Sequence, residues 1–164
     1  MILDTSALMA IILGEPDAEH VLSLMSGAAE LGVSAATVVE AAIVAEAKGG
    51  REAADDLEAL LADLECVIVP LDEDQAVVAA EAWRRFGKGR HPAALNLGDC
   101  FSYGAAKALG RPLLFKGDDF AQTDISARDA SVTGQPSSST SLRSTMRVEM
   151  DLVDHGALKR SRRR

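Results

Sequence analysis

Four carboxylates stand out in this chain by what surrounds them. Asp4 follows Ile2 and Leu3 at the end of a short apolar start. Glu40 lies among Ala36, Val39, Ala41, Ile43 and Val44, whereas an ordinary helical glutamate, such as Glu46, faces water. Asp99 opens a helix within LNLGDCFSYGAAKALG, and Asp118 follows Gly117 just past the apolar run Leu113, Leu114, Phe115. Each has a bland alternative. Asp4 caps a helix, Asp99 complements a helix dipole or serves as N3 of a box capped by Asn96, and Gly117-Asp118-Asp119 is a polar turn. For Glu40, solvation is the weaker account.

Taken together the four are harder to dismiss. Two unit charges about 8 Å apart at an effective dielectric near 20 repel by roughly 2 kcal/mol. Summed over every pair of four, clustering costs on the order of 10 kcal/mol, which rivals the stability of a domain. Such a cluster binds a cation or keeps some of its protons. Oxygen-only ligands favour Mg²⁺ or Mn²⁺, and His20, His91 and His155 have no spacing that suggests another metal. A carboxylate-bound pair of such ions suits phosphodiester hydrolysis. The substrate would be a polyanion, so an acidic body needs a basic rim. RRFGKGRH, residues 84–91, offers Arg84, Arg85, Lys88 and Arg90 with no carboxylate among them. It runs toward Asn96 and Asp99, and its two glycines predict a mobile loop. The plain alternative is a solvated helix end.

The elements that must position these groups alternate. Met1 to Leu3 reads as a strand, with Thr5 or Ser6 capping a helix that Gly14 stops. Pro16 opens a second helix with Val21, Leu22 and Met25 as its stripe. Leu31 to Ser34 predicts a brief strand, and Ala36 to Lys48 a helix ended by Gly49 and Gly50. Leu57, Leu60, Leu61 and Leu64 have amphipathic helical spacing, and Cys66 to Val69, closed by Pro70, is β-branched. Asp72 and Gln75 predict a capping box for a helix whose buried face is Ala76, Ala79, Ala80 and Trp83. The helix from Asp99 ends near Gly110, and Leu113 to Phe115 is a buried strand. Alternation of this kind predicts a parallel sheet with helical layers, whose carboxyl edge collects the acids.

Composition divides the chain near residue 125. Residues 1–125 hold 9 basic and 21 acidic side chains, and residues 126–164 hold 8 and 4. Eight of those last 39 residues are serine. We expect a domain at 1–125 and a Ser/Arg-rich tail at 126–164 outside the fold. An acidic body argues against general nucleic-acid affinity, so nucleic acid must be held by a local patch. The start has no basic n-region and no run approaches a membrane span. Cys66 and Cys100 fit buried small hydrophobes in a reducing cytoplasm.

MILDTSAL, Glu40 in its apolar helix, LNLGDCFSYGAAKALG and LLFKGDDF together resemble the PIN-domain ribonucleases of VapC-type toxin–antitoxin pairs. The resemblance covers residues 1–125. Carried over position by position, it puts the family's acidic quartet on Asp4, Glu40, Asp99 and Asp118. Its polar residue beside the first acid falls on Ser6, with Thr5 adjacent, and Asn96 matches the asparagine before the third acid. The resemblance implies a three-layer α/β/α sandwich with a central parallel sheet and Mg²⁺-dependent endoribonuclease activity on RNA. It also implies a homodimer and inhibition by a cognate VapB-type antitoxin. Gly104 departs from the family's usual alanine, and the tail has no counterpart there.

Two other readings compete. An aspartate-nucleophile phosphatase of the haloacid-dehalogenase type would use Asp4, but needs a second aspartate where Ser6 stands. A catalytically inactive PIN-like binding module would tolerate loss of an acid, and all four are present.

Overall fold

The computed structural model describes residues 1–129. The expectation for residues 130–164 of the tail lies outside the described residues. Five short strands form one parallel sheet: β1 (Ile2–Leu3), β2 (Gly32–Ser34), β3 (Val67–Val69), β4 (Leu113–Phe115) and β5 (Ala127–Asp129). Their spatial order is β3-β2-β1-β4-β5. The chain winds outward from β1 to β2 and β3, then crosses back to lay β4 on the other side of β1. The carboxyl ends of β1 and β4 therefore flank the point where the winding reverses, the crevice where open α/β sheets place ligands.

Strand alternation fills both faces. Leu3, Val33 and Leu114 turn into one apolar cluster, and Ile2, Leu113 and Phe115 into the other, as a period of two demands. The first cluster is covered by α1 (Thr5–Ile12), α2 (Ala18–Ser26) and α3 (Ala35–Asp63), and the second by α4 (Glu73–Phe86) and α5 (Leu97–Ala108). Two helical layers around a parallel sheet make the expected sandwich. Within α3, Gly50 has φ 76° and ψ −172°, a break that only glycine adopts easily, so two helices meet there at the expected place.

Val21, Met25, Leu57 and Leu61 are buried in the first cluster, as their helical spacing predicts. The expected buried face of α4 needs correction. On α4 the buried residues are Gln75, Ala79, Ala82 and Phe86, while Trp83 is 43% exposed. Gln75 is buried with its Nε2 donating to the Pro70 carbonyl at 2.8 Å, and of the expected face Ala79 is buried while Ala76 and Ala80 are exposed. Asp72 still caps the helix, accepting from the Gln75 N–H at 2.9 Å.

Strand pairing continues past residue 125. β5 pairs with β4 in parallel, and the Leu113 N–H donates to the Ser126 carbonyl at 2.9 Å. Asp124 anchors the approach to this strand, accepting from Tyr103 Oη at 2.5 Å and from Arg85 at 3.2 Å, with Lys107 at 3.4 Å. Truncation after Ile125 strips this cover from the edge of β4. By thermal melting it should lower Tm by about 5 °C or more relative to truncation after Asp129. Equal melting temperatures would mean β5 adds nothing to the domain.

Candidate active site

The end of β1 delivers Asp4 into the crevice. Its backbone N–H donates to the Leu114 carbonyl at 3.0 Å, which continues the sheet for one more residue. Its side chain caps α1 through Oδ2, accepting from the Ser6 N–H at 2.9 Å and from Ser6 Oγ at 2.6 Å. The residue is only 3% exposed, and its second oxygen, Oδ1, is buried without a hydrogen-bond partner among the described residues. A capping aspartate needs one oxygen. An orphaned carboxylate oxygen in a closed site costs on the order of 1–3 kcal/mol unless something else meets it. The bland reading and the functional one thus hold together, one on each oxygen.

Ser6 does a second task. Its Oγ accepts from the Lys116 N–H at 3.0 Å, so a single hydroxyl ties the residue after β4 to the carboxylate after β1. Lys116 Nζ reaches Glu15 at 2.6 Å and Asp17 at 2.8 Å, which fastens the loop after α1 beside the same crevice.

Glu40 arrives from α3. Its Oε2 accepts from Thr5 Oγ1 at 2.7 Å, and its carboxylate lies against Gly98 in the first turn of α5. Asp99 is N3 of that helix in a reciprocal box: its N–H donates to Asn96 Oδ1 at 3.0 Å, and its Oδ2 accepts from the Asn96 N–H at 2.7 Å. The cap that competed with a site role is therefore present, and the site is present as well. Burial pushes the Asp99 carboxyl up to about 6, against the opposing pull of the Asn96 N–H, and the charges of Asp4, Asp119 and Glu40 add to the rise.

A cavity of about 400 Å³ is lined by Thr5, Ser6, Glu40, Asn96, Asp99 and Asp119, with Lys48 and Lys116 also on its wall. Neither Asp118 nor the 3% exposed Asp4 is on that wall, whereas Asp119, the neighbour of the expected Asp118, is. Gly117, at φ 107°, turns the chain sharply after β4, and Asp119 then precedes the short 3₁₀ turn Phe120–Gln122 without a side-chain capping bond. Which of two adjacent aspartates points inward depends on that turn and not on any period. Among the described residues, no three acidic, histidine or cysteine side chains form a preformed metal cage. Asp4, Glu40 and Asp99 are each steadied by a neighbour, namely Ser6, Thr5 and Asn96.

The basic segment is not part of this wall. Arg85 is paired with Asp124, Arg84 with Glu81 at 3.2 Å, and the Arg90 guanidinium lies 4.1 Å from the centre of the Trp83 ring. Nor is the loop loose. Backbone bonds from Lys88 to Leu95, Leu95 to Phe86 and Arg90 to Gly87, with His91 edge-on to Phe86, brace it internally. Sequence reasoning missed Lys48 and Lys116 on the wall. Lys116 had a signal, since it lies between β4 and the Gly-Asp-Asp turn.

The PIN-domain family model matches residues 1–126. This chain belongs to the PIN-domain family. Within it the chain is of the VapC type, being 46% identical over 127 residues to the ribonuclease VapC of Mycolicibacterium smegmatis, which covers 77% of this chain and 98% of that protein. Among solved structures, this PIN domain superposes on VapC20 of Mycobacterium tuberculosis, a sarcin–ricin loop cleaving toxin, with a TM-score of 0.64 at 16% identity. That match covers 76% of this chain and 95% of the other. A toxin–antitoxin complex from Klebsiella pneumoniae matches with a TM-score of 0.59 at 17% identity, covering 79% and 97%. Family membership removes the phosphatase reading, whose second aspartate is replaced here by the Ser6 clamp.

The raised Asp99 carboxyl has a consequence for the metal-free PIN domain. The folded state holds this proton more tightly than the unfolded chain, so stability falls as pH rises from about 4 to about 6 and stays lowered above that. Asp99→Asn keeps an acceptor for the Asn96 N–H and removes the penalty. In chelator it should melt about 2–5 °C above the parent at pH 7.5, with the gap closing toward pH 4. A gap that widened on acidification would contradict this assignment.

Proposed function

We propose that this chain is a metal-dependent endoribonuclease that hydrolyses RNA phosphodiester bonds and is the toxic member of a VapBC-type pair. The observation that carries this reading is the divided Asp4 carboxylate, one oxygen locked by Ser6 and the other buried without a partner beside further acids. An all-oxygen donor set with an unsatisfied buried oxygen suits a hard divalent cation. Asp4, Glu40, Asp99 and Asp119 are the residues that would hold Mg²⁺ or Mn²⁺. When bound, such an ion lowers the pKa of water and offsets charge on phosphoryl oxygens.

The chain's own residues prepare the site for this. Ser6 fixes the rotamer of Asp4, Thr5 that of Glu40, and Asn96 that of Asp99, so little ordering is left to do when a cation or substrate arrives. Lys48 on the wall supplies a positive group for a substrate phosphate, while Lys116 is committed to Glu15 and Asp17. Arg84, Lys88 and Arg90 remain as contacts for RNA further from the cavity, with Arg85 withdrawn into the Asp124 cluster. The exposed apolar side chains Val39, Ile43, Trp83 and Leu97 offer surface for a second protomer and for a VapB-type antitoxin. Among the described residues, no helix is long and apolar enough to cross a membrane. We place the enzyme in the cytoplasm, where its cysteines stay free.

Purified protein should cleave RNA with Mg²⁺ or Mn²⁺, stop when a chelator is added and resume when the metal is restored. Asp119→Asn should lower the rate by about 10- to 100-fold, whereas Asp118→Asn should leave it within about twofold. Cleavage that persists in chelator would sink the metal-dependent reading. The reverse ranking of the two aspartates would return the fourth position to Asp118.

A further inference from the structure

Gly98 is the second residue of α5, between Leu97 and Asp99, and it is buried. It is not among the residues with positive φ, so its backbone conformation is one that any residue adopts. Alanine at a helical position is favoured over glycine by up to about 1 kcal/mol. Neither the turn nor the helix asks for glycine here. What a side chain would meet explains the choice. A Cβ built on Gly98 overlaps three atoms of one group at once: Oε1, Cδ and Oε2 of Glu40.

We infer that Gly98 is a positioning residue, whose missing side chain forms the seat of the Glu40 carboxylate. Thr5 Oγ1 holds this carboxylate at Oε2, at 2.7 Å, while the bare backbone of Gly98 supplies the surface it rests on. That surface is the first turn of a helix, where the partial positive charge of the N-terminal amides favours an anion. Glu40 comes from a different element than Asp99; the buried Thr37 and Ser102 hydroxyls, 3.1 Å apart, join the same two helices, and Gly98 leaves room for the carboxylate between them. With a methyl group at 98 the carboxylate has to leave its seat and break its bond to Thr5. The collision is with the far end of a flexible side chain, so the helix can accept the methyl while the site cannot. The inference rests on the reading of Glu40 as one of the metal-holding acids.

Gly98→Ala, Glu40→Asp, Glu40→Gln and the double variant Gly98→Ala with Glu40→Asp separate the possibilities. Each is assayed for RNA cleavage, Mn²⁺ affinity by titration and metal-free melting temperature. Gly98→Ala should keep or raise the metal-free Tm while losing about 10- to 100-fold in both cleavage and Mn²⁺ affinity. Shortening Glu40 withdraws its carboxylate by about 1.5 Å. Glu40→Asp should therefore impair the parent yet partly restore cleavage and Mn²⁺ affinity when Gly98→Ala is present. That reversal of sign is what a seat predicts and a merely damaged helix does not. If Glu40→Gln cleaves at the parental rate, the role of Glu40 itself is wrong. If Glu40→Gln is inactive but Gly98→Ala matches the parent, or Glu40→Asp gives no rescue, the seat is wrong and the role of Glu40 stands.

Discussion

Carboxylates that repel one another must be held together by everything else in the chain, and the two strand ends that frame them here are joined at one hydroxyl. Ser6 Oγ donates to Asp4 and accepts from the Lys116 backbone, joining the ends of the two strands that flank the reversal point. The backbone bond from Asp4 to the Leu114 carbonyl runs alongside. β1 has only two residues, so its register against β4 depends on such bonds more than on the length of the ladder. The apolar residues on either side then have fixed faces to pack against. Burial of Leu3, Leu114 and their neighbours supplies most of the free energy that offsets the electrostatic cost.

The rest of the acidic surface is handled differently. Glu15 and Asp17, close to the same cavity, are neutralised by Lys116. Asp124 is surrounded by Tyr103, Arg85 and Lys107, which hold its carboxyl below the usual carboxylate range, the Tyr103 hydroxyl foremost. Of the acids discussed here, Asp99 keeps a raised affinity for its proton.

Much of this is legible in the sequence. Asp4 and Asp99 announce themselves by following a strand or opening a helix, and Glu40 by interrupting an apolar stripe. The alternating pattern conveys the layers because Ile2, Leu3 and Leu113 to Phe115 have no polar residue to complicate their burial. Other features are illegible for physical reasons. The direction of Asp119 over Asp118 comes from a glycine at positive φ, whose effect on the next two side chains leaves no periodic trace. β5 is invisible because Ala127, Arg128 and Asp129 carry no apolar alternation, and their place is set by backbone pairing. Trp83 misleads because the buried face of α4 runs through a glutamine, Gln75, whose burial with a bond to Pro70 its residue type does not announce. The bracing of residues 87–95 is likewise written in backbone bonds, which composition does not record.

The far edge of the sheet is β3, whose Val67 and Ile68 are 45% and 54% exposed. An open edge carrying β-branched residues invites other chains to add strands, and this one has no lysine or proline within it to discourage them. Its protection is brevity. Cross-strand stacking needs segments of roughly six or seven residues, and Pro70 ends the run after three. A change that lengthened β3, such as replacing that proline with valine, would therefore threaten solubility during expression long before it touched catalysis.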